Sequence, residues 1–299
     1  MSIKIVRINN EVVEPIKHKN DEDDKRETMG ANIFPNLYCN VFAVGKKHSG
    51  KTLVINKIVK SCATSETTII VFSNTVNKDK NILSIKDYCR KKGIAYIGYD
   101  SMKQDDVDVL EVLIKQFQAE AKKEQESDDE EIAEHEKPDT IVLFESEDED
   151  EPPKKPKYKA PEYILIFDDI SNELKNGTLV KLMKMNRHWK CRIIVSSQAK
   201  TDLLPQNISQ CDYILVFKGQ PLEKLERIYH DADIDIPFNI FDKLYKDATK
   251  EQYNFFYIDV KNELFRKNFN KLYQIDKELI YPLEGEKVIE DKNITKKGR

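Results

Sequence analysis

Glycine is scarce: the 299-residue chain holds nine. That count excludes collagen-like and glycine-rich low-complexity sequences. No apolar run approaches the roughly 18–20 residues that a membrane span needs, so an integral membrane protein is not expected. The opening stretch MSIKIVRINNEVV alternates charged and apolar residues and has no signal-peptide core. The five cysteines, Cys39, Cys62, Cys89, Cys191 and Cys211, show neither CxxC nor CxxH spacing. The usual zinc frameworks are thereby removed, and the thiols read as reduced core residues of a cytosolic-type compartment. Trp189 is the single tryptophan and reads as a packing residue.

Charge, by contrast, is plentiful and unevenly spread. Charged residues make up 34% of the chain and the formal net charge is −4. Between Ala119 and Ala160 there are 16 Asp/Glu against 7 Lys/Arg, which leaves 42 basic and 37 acidic residues elsewhere. A basic body carrying an acidic stretch is compatible with a polyanionic partner. Lys175, Lys181, Lys184 and Lys200 are candidates for such a surface.

Regular patterning begins near Pro35. Short, almost wholly apolar runs read as buried strands: Tyr38–Val44, Thr68–Ser73, Tyr163–Phe167, Cys191–Ser196 and Tyr213–Phe217. Helical spacing separates them over Ser49–Cys62, Ile82–Lys92, Asp105–Glu124 and Glu173–Met185. Such alternation predicts an α/β fold: a mostly parallel central sheet with helices on both faces. Tyr253–Val260 and Leu264–Arg266 predict a C-terminal β-hairpin turning at Lys261-Asn262. The organisation expected is an N-terminal arm over 1–34, a core over 35–272 and a charged tail over 273–299. Acidic, proline-containing residues 125–160 read as a disordered insertion within the core. Inside it, Thr140–Phe144 (TIVLF) is either a lone strand or a docking motif.

Gly45 and Gly50 lie five residues apart. Gly45-Lys46-Lys47-His48-Ser49-Gly50-Lys51-Thr52 matches GxxxxGK[ST] in full, between a predicted strand and a predicted helix. In that context the loop's N–H groups and the helix N-terminus face phosphate oxygens. Lys51 adds a point charge near the β/γ-phosphates, and Thr52 offers a hydroxyl to Mg²⁺. The cofactors expected are therefore ATP and Mg²⁺. The strand Tyr163–Phe167 delivers Asp168-Asp169 to the sheet's carboxyl edge, where ligands of open α/β sheets bind. Asp168 is the expected magnesium partner and Asp169 the base that polarises the attacking water. If the Cys191–Ser196 strand lies beside the acidic one, Gln198 reaches the γ-phosphate or the lytic water. Arg187, after a helix and near a sheet edge, is the candidate to enter a neighbouring subunit's site; Arg192 and Arg227 are further candidates.

GKKHSGKT, YILIFDDI, NRHWK and IIVSSQ, in that order, resemble the genome-packaging ATPases of large eukaryotic DNA viruses and virophages, the poxvirus-type branch of the FtsK/HerA superfamily. YNFFYIDVKNELFRKNFNKLY resembles that family's C-terminal hairpin. The likeness spans roughly residues 35–272. It implies a RecA-like core, a hexameric ring and an ATP-driven motor moving double-stranded DNA, without regard to sequence, into a preformed capsid. Capsid-vertex or inner-membrane proteins of the virion would be partners, and the host cytoplasm or the virion the location. It puts Lys51 and Thr52 on nucleotide and Mg²⁺, Asp168 and Asp169 on Mg²⁺ and water, Gln198 in the sensor position and Arg187 near the arginine finger. The family often has glycine before the Arg-His pair, where this chain has Asn186. A P-loop kinase and a nucleotide-dependent assembly switch are the competing readings. No arginine-rich lid supports the first, and the Asp168-Asp169 pair with Gln198 is superfluous to the second.

Overall fold

The computed structural model describes residues 26–104, 107–135 and 157–275. Nine strands form one sheet: β1 (Asn40–Val44), β2 (Thr68–Phe72), β3 (Ala95–Tyr99), β4 (Tyr163–Asp168), β5 (Cys191–Ser197), β6 (Tyr213–Phe217), β7 (Phe255–Asp259), β8 (Leu264–Lys267) and β9 (Lys271–Leu272). Their spatial order is β9-β8-β7-β6-β1-β5-β4-β2-β3. From β6 to β3 every neighbour is parallel, and the last three strands add on antiparallel. The helices are α1 (Lys51–Cys62), α2 (Lys80–Lys92), α3 (Val109–His135), α4 (Gly177–Lys184), α5 (Pro205–Ile208), α6 (Leu222–Asp231) and α7 (Phe238–Ala248).

Strand alternation sorts the apolar side chains into two cores. Val41, Val71, Ile166, Ile194 and Leu215 face one side, against Ile55, Ile58 and Val59 of α1 and Ile82 and Ile85 of α2. Phe42, Ile70, Leu165, Val195 and Val216 face the other, against Leu110, Leu113 and Phe117 of α3, Leu179 and Leu182 of α4, and Phe241 of α7. Coverage on both sides explains why β1, β5 and β6 are buried along their whole lengths and why their sequences do not alternate. The five cysteines are all buried and unbridged.

The boundaries differ from those composition suggested. Ile33 and Phe34, placed in the N-terminal arm, are core residues at 2% and 0% exposure. The Phe34 ring packs against Tyr213 and Tyr257, 4.8 and 6.1 Å away. At the other end, Tyr273 reaches back to hydrogen-bond Asp247. Helix α3 continues to His135, well into the expected insertion. Glu, Gln, Lys and Ala are good helix formers, so a charged stretch without core residues still prolongs a helix already nucleated on the sheet. Tyr158–Lys159, also counted in the insertion, pairs in parallel with Glu27–Thr28. Thr140–Phe144 lies outside the described residues. Among the described residues, no helix is long and apolar enough to cross a membrane.

Candidate functional site

The six parallel strands bring their carboxyl ends to one edge, and the motif residues meet there. β1 runs out at Val44 into the glycine loop, which leads directly into α1. Gly45 passes so close to β6 that a Cβ on it would lie 2.6 Å from Phe217 Cβ, so the position excludes a side chain. Gly50 turns the chain at φ 101° to open α1, which carries no side-chain cap at its N-terminus. The first helical N–H groups are thus left for an anion. Ser49 Oγ is buried with no hydrogen-bond partner among the described residues, a second donor left for a ligand inside the loop. Lys51 Nζ donates to the loop's own carbonyls, Gly45 O at 2.7 Å and Lys46 O at 3.2 Å. Burial holds the Lys51 amine below the usual lysine range, against the opposing pull of Asp168 and Asp169.

The acidic strand β4 does not adjoin β1. β5 lies between them, pairing with β1 on one side and β4 on the other. The sequence left that adjacency as a condition, and the structure meets it. Thr52 Oγ1 donates to Asp168 Oδ2 at 3.0 Å, linking the glycine loop to the acidic strand. Gln198 Nε2 donates to Asp169 Oδ1 at 3.0 Å. Asp169 has φ 57°, a left-handed turn that ends the strand. Its carbonyl oxygen accepts from Asn74 Nδ2 at 3.2 Å. The neighbouring carboxylates therefore have opposite environments: Asp168 is 6% exposed, whereas Asp169 is exposed.

Thr52, Asp168, Asp169 and Gln198 share a cleft of about 300 Å³ with the glycine loop. Among the described residues, no group of three or more His, Cys, Asp or Glu side chains forms a metal site. A magnesium ion needs only one or two protein oxygens when phosphate and water supply the others. Thr52 Oγ1 and Asp168 are the two oxygens that would hold it.

Burial pushes the Asp168 carboxyl above the usual range, with Thr52 and Lys51 pulling the other way. A carboxyl raised on folding destabilises the nucleotide-free fold at neutral pH, because ionisation is easier in the unfolded chain. Asp168→Asn should therefore raise the melting temperature of the nucleotide-free protein at pH 7. The difference should vanish as pH falls below the unfolded carboxyl's range, where Asp168 is protonated in both states. Thermal melts of both chains at several pH values check this; a variant less stable at pH 7 would contradict it.

Some cleft residues were not flagged by the sequence. Thr75, Asp79 and Asn81, after β2 and at the start of α2, line the wall facing the loop. So does Tyr253, which is 57% exposed and has φ 67°. Its ring edge comes within 3.4 Å of where a Cβ of Gly50 would be. In the sequence Tyr253 reads as the first residue of an apolar strand, and only the position of β7 reveals it.

The arginines do not join this cluster. Arg187 is exposed in the turn between α4 and β5, at the amino edge of the sheet, opposite the cleft. Arg192 is 0% exposed and cannot reach a neighbouring subunit. Its Nη2 is tied to Asn36 O at 2.8 Å and Leu37 O at 3.0 Å.

A glycine-loop cradle at the carboxyl edge of a parallel sheet, with an extra strand separating it from the acidic strand, defines a P-loop NTPase fold. No protein-family profile matches the chain. It is 32% identical over 103 residues to the uncharacterized protein 075L of Invertebrate iridescent virus 6, a stretch covering 33% of this chain and 40% of that one. It is also 32% identical over 95 residues to the uncharacterized protein 088R of Invertebrate iridescent virus 3, covering 30% and 36%. The matches thus span well under half the length of these relatives. Among solved structures, the chain is similar to the genome-packaging NTPase B204 of Sulfolobus turreted icosahedral virus 2 in complex with AMP. That similarity has TM-score 0.48 and 18% identity, over 81% of this chain and 99% of that one. The cytoplasmic domain of the type VII secretion ATPase EccC of Thermomonospora curvata is similar at TM-score 0.42 and 11% identity, over 73% of this chain and 24% of that one.

Proposed function

We propose that this chain hydrolyses ATP and uses the cycle to move double-stranded DNA, as the packaging motor of a virus. The observation that carries the hydrolytic part is the pair of links to the end of β4, Thr52 to Asp168 across β5 and Gln198, at the end of β5, to Asp169, both 3.0 Å and beside the glycine loop. Bound Mg²⁺ would neutralise the β- and γ-phosphate oxygens. On this reading Lys51 leaves the Gly45 and Lys46 carbonyls for the phosphates. Asp168, buried and linked to Thr52, would offer its carboxylate oxygens to the metal. Asp169, exposed and aimed by its left-handed backbone, takes the proton of the attacking water with one oxygen while Gln198 holds the other. A passive switch has no need of this second pair.

The DNA and packaging parts rest on the ordered motif set GKKHSGKT, YILIFDDI, NRHWK and IIVSSQ, and on the basic balance of the chain outside the 119–160 stretch. Arg187, turned away from its own cleft, acts in this reading only from a neighbouring subunit, which requires a ring. A motor that follows backbone phosphates needs no base reading, so its DNA affinity should fall steeply with salt and not depend on sequence. The test is steady-state ATP hydrolysis with and without linear double-stranded DNA. Stimulation several-fold above the DNA-free rate is expected, and it should shrink as ionic strength rises. Hydrolysis indifferent to DNA at low salt would remove the translocase while leaving the ATPase.

A further inference from the structure

Helices α3 and α4 do not close on one another. Between them lies a groove of about 860 Å³ that shares no lining residue with the glycine-loop cleft. Its floor is apolar: Ala119 and Ala121 of α3, Val180 of α4, then Met185 and Trp189. Met185 is 36% exposed there. Four lysines rim the floor: Lys115 and Lys122 on one helix, Lys181 and Lys184 on the other. Lys115 pairs with Glu111 at 3.4 Å on the exposed face of its own helix. Lys122, Lys181 and Lys184 have no acidic partner among the described residues. An apolar floor inside a ring of cations selects a ligand that is apolar at its centre and acidic around it.

The chain contains one such segment. Thr140-Ile141-Val142-Leu143-Phe144 is preceded by Asp139 and followed by Glu145, Glu147, Asp148, Glu149, Asp150 and Glu151. It belongs to residues 136–156, outside the described residues. One end of that stretch continues from α3 and the other leads into β4, which packs against α3. Helix α3, which forms one wall, ends at His135. The chain returns at Tyr158–Lys159 and soon reaches Tyr163, whose ring is 4.5 Å from Phe117 of α3. From Lys122 to His135 the helix rises about 20 Å, and the eight residues from His135 to Leu143 span up to about 27 Å. The segment can therefore double back to the groove, and the tether gives it a millimolar-range effective concentration there.

We infer that residues 140–144 dock intramolecularly in the α3–α4 groove, with Ile141, Leu143 and Phe144 on the apolar floor and the carboxylates of 145–151 on the lysine rim. Docking covers the exposed Met185 and neutralises three lysines that have no acidic partner among the described residues.

The test is zero-length carbodiimide coupling on the full chain, which joins only amines and carboxylates already in contact, followed by peptide mass mapping. Amides from Lys122, Lys181 or Lys184 to the acidic residues of 145–151 are expected within single chains, at a yield independent of protein concentration. In the L143D/F144D chain, which keeps every carboxylate, the yield should drop about tenfold or more. Each large apolar side chain withdrawn from water contributes more than the roughly 1.4 kcal/mol that a factor of ten requires. An unchanged circular dichroism spectrum and melting temperature verify that the variant keeps the fold. Three results would each overturn the inference: no such amides, amides undiminished in L143D/F144D, or amides only between chains with concentration-dependent yield. The second would mean charge attraction without docking. The third would mean the segment serves a second copy.

Discussion

Lys51→Ala should abolish measurable ATP turnover while leaving the protein folded. The ammonium is the charge nearest the expected β/γ-phosphates, and loss of one donor to developing transition-state charge typically costs about 10²–10³-fold in rate. Loss of the lysine also removes ground-state phosphate binding, so kcat and KM should both suffer. The fold has little to lose. The Lys51 hydrogen bonds run to Gly45 O and Lys46 O of its own loop, and water can replace them at this open cleft. Burial already disfavours the charged amine, so its removal relieves a small cost. Phosphate release and a thermal melt, measured side by side, check both halves. Normal turnover in the variant would place the chemistry elsewhere; a collapsed melt would make the lysine structural.

Arg192→Ala should have the largest effect on stability, and for a reason unrelated to catalysis. Arg192 is among the largest fully buried side chains of the protein. Its guanidinium donates to the carbonyls of Asn36 and Leu37 and lies 5.6 Å from the centre of the Phe34 ring. It thus ties the segment entering β1 to the middle of the sheet. Alanine leaves two carbonyls without their donor and a void beside Phe34. The two buried carbonyls left without a donor cost about 1–3 kcal/mol each, and the cavity acts in the same direction, so a total of about 3–5 kcal/mol is expected. In a domain of this size that is a fall in melting temperature of roughly 6–20 °C. Arg192→Met, which fills the volume but cannot donate, should fall between the two. Urea denaturation of the three chains orders them; an alanine variant within 1 kcal/mol of the parent would mean the carbonyls find other donors.

The sheet was legible because burial on both faces writes itself as short, nearly unbroken apolar runs. YILIF and CRIIVS could be read as strands without knowing their neighbours. The cradle was legible because its constraints are local: two glycines, a lysine and a hydroxyl within eight residues. Asp169 and Gln198 were individually visible, but their contact depends on β5 threading between β1 and β4, which no local pattern encodes. Arg192 shows the opposite failure. A charge within an apolar strand suggests an exposed or functional residue, and the groups that make its burial tolerable, the carbonyls of residues 36 and 37 and the Phe34 ring, are far away in sequence. Tyr253 escaped notice because an aromatic residue at the head of an aromatic strand looks like core. The length of α3 was misjudged because composition reports what cannot form a core, whereas a helix end needs only good helix formers and a nucleus.

The position of β5 also determines where the molecule can bend. All seven of its residues are buried and it is hydrogen-bonded along both sides, so it cannot slide or tilt without carrying β1 and β4 with it. The sheet behind the cleft therefore acts as a stiff anvil. Compliance begins one residue past the strand, at Gln198, where the chain leaves the ladder for the turn Lys200–Asp202 and the single helical turn of α5. That turn is fastened at its base by the Ser197 hydroxyl, bonded to Asp202 and to the carbonyl of Ala199. The chain beyond Gln198, residues 199–208, lies outside the sheet's hydrogen-bond ladder and is tied back to it at Ser197.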